Sequence, residues 1–194
     1  ENKCVSPGQH YWRPEAKISA KDCKSIIELY ENSPQEGAEI FAGANTHVRN
    51  GTVNFHNQQW VYDLVYSHMV WANENAGWDF DITGAESYQV AKYEVGDFYG
   101  AHNDSIGTKA TVWNVPDNST MHGRTRKISM SLLLNTDFEG GELSMSEGKD
   151  PLFSAKPETG NMLFFPSYLQ HQVKPVTKGT RYSLVIWSLG QPYK

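Results

Sequence analysis

The residues best suited to chemistry in this chain are His102-Asn103-Asp104, His171 and Arg181-Tyr182-Ser183. On a strand, side chains alternate between faces, so His102 and Asp104 present an imidazole and a carboxylate to one point while Asn103 turns away. His171 supplies a second imidazole. Two histidines and one carboxylate fill one face of an octahedral ion and leave the opposite positions open, an arrangement that suits non-haem Fe(II). Arg181 follows His171 along the chain with Ser183 two positions on. Such a pair grips a carboxylate through a charge-assisted fork and a hydroxyl donor. Iron and a dicarboxylate cosubstrate are both implied. The other histidines, His10, His47, His56, His68 and His122, have no comparable strand partner and fall outside the expected metal set.

The elements that must position these groups are mostly strands. After Trp78 the pattern changes to short β segments, expected at 79–83, 88–93, 98–103, 128–135, 142–145, 152–155, 161–166, 170–174 and 181–189. Short strands separated by turns predict a sandwich of two sheets, the jelly roll also used by cupins. In the last strand Arg181, Ser183, Val185 and Trp187 share one face, and Tyr182, Leu184 and Ile186 share the other. The arginine and serine then point into the barrel and the apolar face points toward helices.

Two helices are expected ahead of the strands. Ser19 is placed to cap the first, with Asp22 at its third position and Cys23, Ile26, Ile27 and Tyr30 on one face until Pro34 ends it. The second covers 57–76, with Trp60, Leu64, Ser67/His68 and Trp71 at the 3.6 period, Val61 and Val65 alongside, and Gly77 to close it. The aromatic stripe is expected to pack on a sheet. The longest insertion, 104–127, carries Trp113, His122, Arg124 and Arg126 and is expected to overhang the metal opening as a mobile recognition loop.

At 194 residues the chain suits a single domain with a sizeable core, divided into helical support at 1–78 and a jelly-roll core at 79–194. Its formal net charge of −5 gives no global basic field to attract nucleic acid. Apolar runs such as Leu184-Val185-Ile186-Trp187 are too short for a membrane span, and with no signal segment visible the expected location is cytoplasmic. Cys4 and Cys23 are too few for a disulfide framework and are expected reduced. The triplets Asn50-Gly51-Thr52 and Asn118-Ser119-Thr120 are read as chance matches to a glycosylation site.

From Tyr88 to Leu189 the chain resembles the 2-oxoglutarate/Fe(II)-dependent dioxygenases of the prolyl-hydroxylase superfamily. The resemblance rests on Tyr93-x-x-Gly96-x-x-Tyr99-x-x-His102-x-Asp104, on Phe138-Glu139-Gly140-Gly141-Glu142-Leu143, and on His171-Gln172-Val173-x-Pro175-Val176-Thr177-x-Gly179-Thr180-Arg181-Tyr182. It implies that His102, Asp104 and His171 bind Fe(II), that 2-oxoglutarate chelates the metal with its far carboxylate on Arg181, Ser183 and Tyr93, and that dioxygen is consumed, with ascorbate as a supporting reductant. Decarboxylation of the cosubstrate to succinate is then coupled to C–H hydroxylation. Trp187 matches a tryptophan beside the metal in prolyl hydroxylases, and Arg126 matches an arginine that contacts the peptide in the oxygen-sensing members. With Tyr99 and Trp113 these residues are the expected substrate wall.

Two positions depart from parts of that superfamily. Collagen-type prolyl 4-hydroxylases generally have lysine where this chain has Arg181, and some relatives bind the cosubstrate with a tyrosine where Leu133 stands. Nucleic-acid demethylases of the AlkB type carry a second arginine at the position of Trp187, which argues against DNA or RNA as substrate. The expectation is a hydroxylase of a peptidyl side chain, prolyl foremost, acting on a peptide or protein. The rivals are a hydroxylase of a free amino acid or small metabolite, and a cupin-like binding protein without turnover.

Overall fold

Helix α1 (Ala20–Glu31) starts where Ser19 leaves helical geometry and its hydroxyl accepts the Asp22 N–H at 3.1 Å. Its buried face is Cys23, Ile26 and Tyr30, as the spacing predicts. The computed structural model describes residues 8–37, 48–105, 111–147, 150–155 and 158–193. Cys4 and His47 lie outside them; Cys23 is a buried free thiol whose pKa burial pushes up to about 11.

Helix α2 (Gln59–Asn75) ends in a Schellman turn: the Gly77 N–H donates to Glu74 and the Trp78 N–H to Asn73, with Gly77 at φ 72°. Its packed face differs from the expected aromatic stripe. Val61, Val65, Met69 and Ala72 are buried, whereas Trp60 and Trp71 are 38% and 65% exposed. Two neighbouring stripes fit the same period, and the narrower one allows close approach to the sheet. Tyr88, fully buried, fills the space from the sheet side and meets Tyr62 edge to face.

Among the described residues, thirteen strands follow the order β1 (Glu36–Gly37), β2 (Thr52–His56), β3 (Ile82–Ala85), β4 (Tyr88–Tyr93), β5 (Tyr99–His102), β6 (Thr125–Leu133), β7 (Phe138–Gly140), β8 (Leu143–Glu147), β9 (Asp150–Ala155), β10 (Met162–Pro166), β11 (Gln170–Val173), β12 (Val176–Gly179) and β13 (Arg181–Gly190). The larger sheet runs β1-β2-β4-β13-β6-β10, with β3 on the end of β13; a smaller one runs β5-β11-β8-β9, and β7 pairs with β12. Every pairing between these strands is antiparallel. The architecture is the expected jelly roll, mainly β, with both helices against the larger sheet. Residues 1–78 are not purely helical support, because β2 pairs with β4 in that sheet. The first expected jelly-roll strand starts at Ile82 rather than 79, because Asp79, at φ 50°, belongs to the turn after α2.

Alternation along β13 sorts the two sides. Leu184 and Ile186 join Ile26, Val65, Val90 and Met130 in the core beneath the helices, while Arg181, Ser183, Val185 and Trp187 line a cavity between the sheets. Leu184 has no exposed surface. Leu184→Ala is expected to cost about 2–5 kcal/mol of folding stability in a denaturant titration, through lost burial and the cavity left behind.

Candidate active site

Strands β5 and β11 pair with His102 directly opposite His171, and this register brings the two imidazoles together, ring centroids 4.2 Å apart. Each ring is fixed through Nδ1, which donates to a carbonyl two residues upstream: Gly100 for His102 at 2.8 Å, Leu169 for His171 at 2.9 Å. Both Nε2 atoms are thereby left as acceptors on the same side. Asp104 reaches them from just beyond the strand. β5 ends at His102, so the expected strand to 103 is shorter, and Asp104 is held by its N–H to the Ser167 carbonyl at 3.0 Å and by the Ser129 hydroxyl, which donates to Oδ2 at 2.6 Å. Asp104 Oδ1 lies 3.7 Å from His102 Nε2, and Oδ2 lies 3.4 Å from His171 Nε2.

The electrostatics keep His102 and Asp104 in ligand form. Burial, then the neighbouring His171, pushes the His102 pKa down to about 3 against the pull of Asp104, so the imidazole is neutral. Burial pushes Asp104 up, but His171, His102, Arg126 and the Ser129 hydrogen bond outweigh it and hold the carboxyl below its ordinary value. His102, Asp104 and His171 are the one group of potential metal ligands among the described residues, their donor atoms within 4.8 Å of one another. Two imidazoles and a carboxylate on one side of a cavity fit a hard-to-borderline divalent ion such as Fe(II).

The cavity, about 1120 Å³, is bounded by the expected residues Tyr93, Tyr99, Trp113, Arg126, Arg181, Ser183 and Trp187 together with the three ligand candidates. Arg181 is 2% exposed. Its Nη1 donates to the Ser183 hydroxyl at 2.8 Å, and its Nε has no partner. Burial lowers the guanidinium pKa, Tyr93 beside it opposing the shift. Gly141, at φ 64°, makes room: a Cβ there would meet the Arg181 Cδ at 3.0 Å. The Gly140-Gly141 motif is thus a packing requirement of the arginine as well as a turn.

Arg126 departs from its expected place. The insertion ends sooner than 127, and Arg126 lies in β6, where Nε and Nη2 both donate to the Glu86 carboxylate at 2.7 Å and the guanidinium lies 3.9 Å from the Trp187 ring centroid. Glu86 also accepts the Trp113 indole N–H at 2.9 Å. The expected peptide-gripping arginine is therefore largely occupied within the wall. Arg126→Ala is expected to lower stability by about 3–5 kcal/mol in chemical denaturation, since it strands a buried carboxylate, and Arg126→Lys to restore little, lacking the fork. Of the expected overhanging loop, residues 106–110 lie outside the described residues; Thr111, Trp113 and Met121 do line the cavity, and Trp113 is tied to Arg124 and Gly123 through the backbone.

Sequence reasoning missed Arg49, Glu86, Gln89, Ser129 and Ser131. All but Ser129 line the cavity, and single polar residues in strands or in the segments beside them carry no local signal of where they point.

A family model for the 2OG-Fe(II) oxygenase superfamily matches residues 88–189. The chain belongs to that superfamily. Its matched segment includes the whole His102-Asp104-His171-Arg181 set, and the superfamily's chemistry uses Fe(II), 2-oxoglutarate and dioxygen. Among its relatives, a PKHD-type hydroxylase of Idiomarina loihiensis is 34% identical over 100 residues, 50% of this chain and 39% of that protein. Another, of Gloeothece citriformis, is 36% identical over 103 residues, 52% of this chain and 41% of that protein. The matched segment spans about two fifths of the length of these relatives. In fold, the chain is similar to the viral collagen prolyl hydroxylase of Paramecium Bursaria Chlorella virus-1, at TM-score 0.70 and 19% identity, covering 94% of this chain and 97% of that one. A prolyl hydroxylase of Trichoplax adhaerens, solved with a hypoxia inducible factor peptide fragment, gives TM-score 0.72 at 17% identity, covering 92% and 83%. No helix among the described residues is long and apolar enough to cross a membrane.

Proposed function

We propose that this chain is a 2-oxoglutarate-dependent hydroxylase of a peptidyl side chain, prolyl in the first instance. The observation that carries the reading is the convergence, in one cavity, of the His102-Asp104-His171 donor set with Arg181, a buried cation that has no carboxylate partner among the described residues. His102 and His171 would hold Fe(II) through Nε2, and Asp104 through its carboxylate. Arg181 and Ser183 would receive the far carboxylate of 2-oxoglutarate, with Tyr93 across the β4–β13 pair from Arg181.

The iron and cosubstrate together supply the oxidation: one oxygen atom of O2 enters the substrate C–H bond and the other enters succinate, with release of CO2. The chain's own residues bind and orient. Arg181 neutralises the cosubstrate in a buried site where an unpaired charge is costly. Ser129 fixes the rotation of the Asp104 carboxylate, and the Gly100 and Leu169 carbonyls fix both imidazole tautomers. Tyr99, stacked at 3.5 Å on the His102 ring, and Trp187 form flat apolar walls that exclude water and suit a pyrrolidine ring.

The prolyl reading draws support from the apolar Trp187 wall and from relatives whose names are those of prolyl and PKHD-type hydroxylases. Its test is mass spectrometry of proline-containing peptides incubated with iron, 2-oxoglutarate and ascorbate. Gain of one oxygen on proline, matched by succinate, is the expected result. Succinate formation stimulated by free amino acids and by no peptide would overturn the peptidyl assignment.

A further inference from the structure

Arg49 lies just before β2, and its surroundings hold it rigid. The Gly100 N–H donates to the Val48 carbonyl and the Asn50 N–H to the Phe98 carbonyl, so the segment is pinned along β5 on both sides of the arginine. The side chain is 6% exposed and lines the same cavity as the metal ligands. Its guanidinium lies over the Tyr99 ring at 4.4 Å, and Tyr99 is stacked in turn on His102 at an interplanar angle of 11°. The cation therefore stands one aromatic ring beyond a metal ligand.

Two of its donors, Nε and Nη2, are buried with no hydrogen-bond partner. Buried donors are almost always satisfied, and a charged one left open is costly. Of the other charges that line the cavity, Glu36 is exposed and the rest have assignments. Arg126 is closed by Glu86, Arg181 faces the cosubstrate site, and Asp104 faces the metal. Arg49 has no carboxylate in ion-pair reach among the described residues. The molecule also shows what would fill the gap. Arg126 grips the Glu86 carboxylate through Nε and Nη2, and Arg49 presents the same pair of atoms with nothing between them. A peptide carbonyl would satisfy this fork poorly, whereas a carboxylate engages both donors in parallel.

From this we propose that the substrate carries a carboxylate that docks on the Nε–Nη2 edge of Arg49, one ring away from the metal ligand His102. The inference rests on the hydroxylase reading and narrows its substrate class to anionic ones: either the target residue bears a free α-carboxylate, or an acidic side chain is adjacent to it in a peptide. The function of Arg49 is recognition, with Tyr99 as the shelf that fixes its height above the metal.

Two matched probe pairs separate these sources in anaerobic calorimetric titrations of the protein loaded with Mn(II) and 2-oxoglutarate. One pair is N-acetylproline and its amide; the other is acetyl-Pro-Asp-amide and acetyl-Pro-Asn-amide. At least one acid is expected to bind at least about tenfold tighter than its neutral partner. Preference in the first pair identifies a terminal carboxylate, and preference in the second an acidic flank. Arg49→Gln is expected to erase the preference, and Arg49→Lys, which keeps the charge without the fork, to retain only part of it, with near-UV circular dichroism reporting the fold. If neither acid is preferred by the parent, including the case where no probe binds, or if the preference survives in Arg49→Gln, the proposal is overturned. Mn(II)-dependent binding of 2-oxoglutarate, followed in the same samples, tests the hydroxylase reading separately: its absence would remove that reading, whereas its presence with no acid preference would remove only the role of Arg49.

Discussion

Asp104→Ala is expected to abolish divalent-metal binding and, with it, all turnover of 2-oxoglutarate. Asp104 is the one carboxylate of a site otherwise made of two imidazoles, so its removal takes away both a ligand and the charge that compensates a dication. Loss of an outer-shell partner alone typically weakens a metal by about 10–100-fold. Loss of this carboxylate should exceed that range, while Ser129→Ala, which frees Asp104 Oδ2 from its 2.6 Å donor, should fall inside it. Manganese titration followed by electron paramagnetic resonance reads both values. A second readout is thermal: metal at about 100 times its dissociation constant stabilises the parent by about 2.7 kcal/mol, and Asp104→Ala should show no such rise. An Asp104→Ala protein that bound Mn(II) as tightly as the parent would remove Asp104 from the ligand set and return the assignment to the neighbouring histidines alone.

The convergence of His102, Asp104, His171 and Arg181 in one cavity was legible in the sequence, because the chemistry expected of them restricts both residue type and spacing. Period-2 alternation in β13 was enough to place Arg181 and Ser183 on one side and Leu184 and Ile186 on the other. The mechanism for Asp104 was not legible. It depends on the Ser167 carbonyl and the Ser129 hydroxyl rather than on continuing the strand, and neither group is near it in sequence. The same reason hid Glu86, which meets Arg126 across 40 positions. Strand β2 went unseen because its residues show no sustained apolar alternation: Phe55 is half exposed, whereas Asn54 is buried on the Tyr30 carbonyl. On α2 the period was right and the face was wrong, since bulk favoured the tryptophans and close approach to the sheet favoured Val61, Val65 and Ala72.

Arg181→Ala should leave Mn(II) affinity close to that of the parent and raise the 2-oxoglutarate requirement by roughly two to three and a half powers of ten, the equivalent of the about 3–5 kcal/mol lost when one side of a buried charge pair is removed. Arg181→Lys should be milder, because a point charge remains, although the 2.8 Å bond from Nη1 to Ser183 and the planar fork are lost. The cosubstrate-free protein supplies a test of opposite sign. There the guanidinium is buried with an unsatisfied Nε and no carboxylate to neutralise it among the described residues, so it opposes folding until a dicarboxylate arrives. Arg181→Met, which fills a similar volume without charge, should therefore melt at or above the parent's temperature in the absence of 2-oxoglutarate and lose the rise in melting temperature that the cosubstrate confers on the parent. Calorimetric scans with and without Mn(II) and 2-oxoglutarate read both effects. A binding residue is distinguished from a structural one by this crossing: if Arg181→Met were destabilised without cosubstrate and still gained the parent's increment with it, Arg181 would be a packing residue and the carboxylate clamp would lie elsewhere in the cavity.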